Sequence, residues 1–148
     1  MWCVDIYYKT ISESGKQMIN YVCKYAPVEL FKGFGQECAV LEEMPENFDK
    51  SDKIAHANLC GFGKSVIQAV LEGKVEELVL VNCCDSMRRV YDIIENTKKC
   101  KFLYMLDLPH EDNECENIKF AQSILRLKKA YELSLIHISE PTRRVVIS

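Results

Sequence analysis

The sequence predicts an α/β fold, a parallel sheet flanked by helices. Short apolar runs alternate along the chain with segments whose apolar residues recur at helical spacing. Strand–helix–strand alternation of that kind builds a parallel sheet with right-handed crossovers. The runs Leu78–Cys83 and Lys101–Leu108 are also almost unbroken in apolar character, as strands covered on both faces are. With 148 residues, 48% of them hydrophobic and 28% charged, the chain has enough apolar material for one domain with a real core.

Residues Met1–Ser14 carry no clear pattern. Gln17–Cys23 alternates loosely and reads as the first strand. Pro27 suits the first turn of a short helix that Gly35 stops, and Val28, Leu30, Phe31 and Phe34 give it an apolar stripe. Glu37–Leu41 is the second strand. Glu42–Lys53 is acidic, contains Pro45 and lacks periodicity, which predicts a surface loop. From Gly61 to Glu72, Phe62, Val66, Ala69 and Val70 recur at helical spacing, and Gly73 follows as a stop. After the third strand, Asp85 or Ser86 can cap a helix whose buried stripe is Met87, Val90, Tyr91 and Ile94. Pro109 ends the fourth strand, and His110–Glu116 reads as an acidic loop. Ile118, Ala121, Ile124, Leu125 and Leu127 mark an amphipathic helix to Tyr131.

A net charge of −3 gives no global reason to expect nucleic acid or an acidic membrane surface as partner. No apolar run approaches a membrane span, and Met1–Asp5 does not open a signal peptide, so a cytoplasmic location is expected. Eight cysteines are many for such a chain. They lie among helix and strand patterns rather than in a short, loop-rich, secreted sequence, which favours reduced thiols.

Two of those cysteines stand out. Cys60, followed by Gly61 and Gly63, and Cys84, at the end of an apolar strand, each precede a helix-like segment. Ligands of an open α/β sheet collect on the loops leaving the carboxyl ends of strands. A thiolate beside a helix start is favoured by the helix dipole, and two on neighbouring loops suit a metal or an iron–sulfur cluster. Either cysteine alone would read as a small buried hydrophobe. By strand alternation Cys83 is expected to face packing and Cys84 the ligand. His56 stands four residues before Cys60 and could join a zinc site, Asp107 and His110 flank Pro109, and Arg88 and Arg89 could meet an acidic ligand or water. Gly63-Lys64-Ser65 resembles the end of a phosphate-binding loop, but Asn58 stands where the leading glycine belongs. Nucleotide binding by a non-catalytic α/β module is thus a minor alternative.

Tyr25-Ala26-Pro27-Val28-Glu29-Leu30 with Gly35, then His56–Cys60, then Asn82–Asp92 with its Cys-Asp-x-x-Arg motif, then Leu106–Pro109, together resemble the 2-hydroxyacyl-CoA dehydratase family, which includes the related benzoyl-CoA reductase subunits. The resemblance runs from about Gln17 to Glu132. It implies flavodoxin- or Rossmann-like α/β domains and an oxygen-sensitive lyase of anaerobes. It further implies a [4Fe–4S] cluster held by three cysteines, with Cys60 and Cys84 as its first two ligands and the third from a later part of the chain. The implied reaction removes water from a 2-hydroxyacyl-CoA through a ketyl radical, after one-electron activation by a separate ATP-dependent activator protein, and needs a second dehydratase subunit. A related reductase with a different cluster is the alternative within the family. No residue stands out as the proton-transfer base.

Leu133–Arg143 resembles the conceptual translation of a transposase-type sequencing adapter. Residues 1–132 are therefore expected to form an N-terminal α/β domain with the ligand loops, and residues 133–148 a non-native, disordered tail. The natural chain is then expected to be cut short near Glu132, leaving an inactive fragment without the third ligand.

Overall fold

The computed structural model describes residues 18–42 and 44–139, with side chains through residue 136. Strands β1 (Met18–Tyr21), β2 (Glu37–Val40), β3 (Glu77–Val81) and β4 (Phe102–Leu106) form one sheet in the order β2-β1-β3-β4. Every neighbouring pair is parallel. The helices are α1 (Val28–Gly33), α2 (Gly61–Leu71), α3 (Asp85–Thr97) and α4 (Glu114–Ser139). The parallel α/β architecture expected from the alternation is the one observed.

Strands β3 and β4 share their side chains between two apolar layers, as the period of two requires. Leu78 and Leu80 of β3 join Val66, Ile67 and Val70 of α2 and Met87, Val90 and Ile94 of α3. Val79 and Val81 face the other way, into a layer with Ile19, Phe31, Phe102, Leu106, Leu127 and Tyr131. All five residues of β3 are buried, which is why that strand read as a continuous apolar run. Tyr131 locks the second layer. Its ring meets those of Phe31, Phe34 and Phe102 edge-on, with centroids 5.2, 5.5 and 4.9 Å away, a favoured aromatic geometry.

The boundaries differ from the sequence reading in instructive ways. β3 stops at Val81 because the chain turns there, with Cys83 N–H donating to the Val81 carbonyl at 2.8 Å. The cap of α3 is Cys84, with Asp85 as the first helical residue. The supposed acidic loop is shorter than expected. Asn113 caps α4 by accepting from the Glu116 N–H at 2.9 Å, so Glu114 and Glu116 stand in the first turn, where the helix dipole favours acidic side chains. Ile118 and Leu125, assigned to the buried stripe, are 53% and 64% exposed; the buried line is Ser123, Leu127 and Tyr131. The stretch before α2 includes a 3-10 turn, Ser51–Lys53. It is pinned by Gln68, whose side-chain oxygen accepts from the N–H groups of Lys50 (3.1 Å) and Ser51 (2.8 Å). α4 runs on through Ser139, and Leu135 packs beside the second core layer. Residues beyond 139, and Met1–Ser14, lie outside the described residues.

From β1 the chain crosses to β2, and from β3 it crosses the opposite way to β4. The strand order therefore reverses between β1 and β3, and their carboxyl ends form the crevice where open α/β sheets bind ligands.

Candidate functional site at the carboxyl rim

The helices α2 and α3 each lie between two parallel strands, so both begin at the carboxyl rim of the sheet. They pack on the same face, and each has a cysteine as its N-terminal cap. Cys60 is exposed, and its sulfur accepts the Gly63 N–H at 3.3 Å. That bond satisfies one of the amides a helix start leaves without a partner. It is also the kind of backbone donor that tunes a sulfur ligand. Gly63 is at the seam of the two helices. A methyl group built on it would sit 3.0 Å from Val90 Cγ2 and 3.4 Å from Cys60 Sγ, so only glycine permits this approach without displacement.

Cys84 is exposed and extended, and its sulfur makes no capping bond. Nothing in the helix start occupies it. Cys83 does not face packing, as alternation predicted. It is exposed, because the strand ends two residues earlier and the alternating rule no longer applies. Partial burial, the neighbouring Cys84 and then Cys23 push the Cys83 thiol above its ordinary value. Cys23 follows β1 as Cys83 follows β3, so its place beside the crevice was legible from the position of both cysteines just past a strand. The sequence reading passed over it.

Cys83 and Cys84 border an open cavity of about 350 Å³, together with Asn82, Asp85 and Arg88. Leu108, Pro109 and His110 form its far wall. Asn82 holds this corner together. Its N–H donates to the Leu106 carbonyl at 2.8 Å, and its side-chain amide donates to Asp107 Oδ1 at 3.0 Å. Its side-chain oxygen accepts from Arg88 Nε at 2.6 Å. Arg89, by contrast, lies against Asp85 at 3.9 Å.

The phosphate-loop resemblance does not survive as geometry. Lys64 is bound to Asp52 at 2.8 Å, and the Ser65 hydroxyl donates to the Phe62 carbonyl at 2.7 Å. The Gly63 amide is already given to Cys60, so the Lys64 ammonium, the Ser65 hydroxyl and the Gly63 amide are each engaged by a protein partner. His56 is exposed, with Nδ1 accepting from the Asn58 N–H at 3.2 Å.

The seven cysteines among the described residues are all free. Among those residues no group of three or more His, Cys, Asp or Glu side chains is gathered tightly enough to hold a metal ion. The donor chemistry at the rim nevertheless suits soft iron, since Cys60 and Cys84 are exposed sulfurs at neighbouring helix starts. No helix among the described residues is long and apolar enough to cross a membrane.

No curated protein matches the chain. The family model described as 2-hydroxyglutaryl-CoA dehydratase, D-component, matches residues 23–137, most of the chain. With its parallel sheet and its cysteine-capped helices at one rim, the chain therefore belongs to the 2-hydroxyglutaryl-CoA dehydratase D-component family.

Proposed function

We propose that this chain is part of an iron–sulfur subunit that removes water from a 2-hydroxyacyl-CoA thioester by a ketyl-radical route, after one-electron activation by a separate ATP-dependent protein. What supports this is that Cys60 and Cys84 are exposed N-terminal caps of two helices that both begin at the carboxyl rim and pack on the same face of the sheet, in a chain of this family. Cys60 and Cys84 would hold the cluster, a [4Fe–4S] centre whose third ligand comes from outside this set. When bound, the cluster would supply one-electron chemistry and a Lewis-acidic iron, which the removal of an unactivated β-hydrogen from an acyl thioester demands. The chain's own part is to present the two sulfurs and to tune them through backbone donors such as Gly63 N–H. It also shapes the cavity beside Cys84 for a small acyl group. A second dehydratase subunit would complete the site, in a cytoplasmic, anaerobic setting.

Anaerobic reconstitution with ferrous iron and sulfide, carried out on the full-length parent subunit that supplies the third ligand, tests the reading. Wild type and Cys115→Ser should develop broad iron–sulfur absorption and a paramagnetic signal on reduction. Cys60→Ser and Cys84→Ser should each lose most of both. Full signal in the two variants, or none in wild type, would overturn the assignment.

A further inference from the structure

Consecutive residues of an extended chain point to opposite sides. Cys83 and Cys84 depart from that rule. β3 ends at Val81, and the chain turns there as the Cys83 N–H donates to the Val81 carbonyl at 2.8 Å. Both cysteines are exposed and line the same cavity of about 350 Å³. The Cys84 sulfur makes no capping bond to α3. The turn thus presents two accessible thiols to one space. Across it Leu108 and Pro109, both half-buried, form an apolar wall. The cluster reading uses Cys84 and leaves Cys83 without a task.

Such a pair selects among soft electrophiles. Among the described residues no third His, Cys, Asp or Glu is gathered with the two sulfurs, whereas a tetrahedral metal ion wants four ligands. A linear, two-coordinate ion needs its sulfurs on opposed sides, and two residues joined by one peptide bond present theirs on one side. Trivalent arsenic is pyramidal. It takes two sulfurs close together and brings its third substituent with it.

We infer that Cys83 and Cys84 form a vicinal dithiol site for a monosubstituted trivalent arsenical, both sulfurs on the arsenic and its organic group against Leu108 and Pro109. With an organoarsenous oxide the step is an exchange. Two S–H bonds and the arsenic–oxygen bonding break, two As–S bonds form, and the oxygen leaves as water with both thiol protons. Arsenic stays trivalent, so no oxidant or reductant enters. The inference stands on the dithiol and the wall, and does not require iron.

Intact-mass spectrometry of the full, reduced, iron-free chain with phenylarsine oxide tests it, with circular dichroism as a check on folding. Wild type should keep one arsenical per chain against excess mercaptoethanol and release it to dimercaptopropanol, since only a dithiol competes with a chelate. Cys83→Ser and Cys84→Ser should each lose that retention, while Cys60→Ser and Cys23→Ser should keep it. Leu108→Ala should weaken the phenyl reagent several-fold and leave a methyl arsenical unchanged. No retention by wild type, retention that survives in Cys83→Ser or Cys84→Ser, or loss in Cys23→Ser overturns the dithiol assignment. Equal weakening of both arsenicals by Leu108→Ala overturns the part given to the wall. Failure of the chelate leaves iron reconstitution untouched, and failure of reconstitution leaves the chelate untouched, so the two readings fall separately.

Discussion

At Cys60 one sulfur has two duties, capping α2 and, in the proposed function, holding iron. Serine caps helices at least as well as cysteine but is a poor ligand for iron, so substitution can separate the two. Cys60→Ser should keep the stability of wild type to within a few tenths of a kcal/mol, while Cys60→Ala should lose about 1 kcal/mol as the Gly63 N–H goes unpaired. Urea denaturation of the iron-free proteins checks both. A second residue, Glu77, is buried at the base of β3. Tyr131 donates to its Oε2 at 3.1 Å, and Oε1 has no partner among the described residues. Burial pushes the Glu77 carboxyl up, against the lowering influence of Tyr131 and Lys101. An acid raised in the fold stabilises fully below its ordinary value of 4.5 and progressively less as pH climbs through the folded value. Glu77→Gln should therefore raise the melting temperature at pH 8 and change it much less at pH 4. Scanning calorimetry at the two values reads the difference, and equal shifts would contradict it.

The glycines at the start of α2 separate steric need from mere tolerance. A methyl group on Gly61 would meet nothing within 4 Å, whereas one on Gly63 would press on Val90 and Leu59 at 3.0 and 3.3 Å. Gly61→Ala should be neutral or stabilise by up to about 1 kcal/mol through helix propensity. Gly63→Ala should destabilise by about 1 kcal/mol or more, as overpacking outweighs that gain. Thermal melts of the two variants decide it. The elements themselves were largely legible in the residues. β3 announced itself because its neighbours cover both faces, and α2 because its apolar residues repeat at helical spacing. Helix starts were harder. The carboxylates of Glu114 and Glu116 look like a loop until Asn113 is seen to cap them. The exposed Ile118 and Leu125 look like core until Tyr131 fixes which face of α4 turns inward.

Over the whole molecule, the topology places the helix starts capped by Cys60 and Cys84 at the carboxyl rim of the sheet. The order β2-β1-β3-β4 reverses between β1 and β3, and cysteines follow both strands at that crevice. Cys60 and Cys84 were legible because each stands just before a helix pattern. Cys23 and Asn82 were not singled out, since what distinguishes them is a neighbour on another strand. Cys23 acts on Cys83 across 60 positions of chain, and Asn82 joins Asp107 to Arg88. The central claim is that sulfurs from two helix caps share one metal centre. Crystals of the anaerobically reconstituted protein, measured at the iron absorption edge, test it most directly. The account predicts anomalous iron density within bonding distance of both Cys60 Sγ and Cys84 Sγ, about 2.3 Å as for thiolate–metal bonds generally. Iron held instead by Cys23 and Cys83, or by neither helix cap, would contradict it.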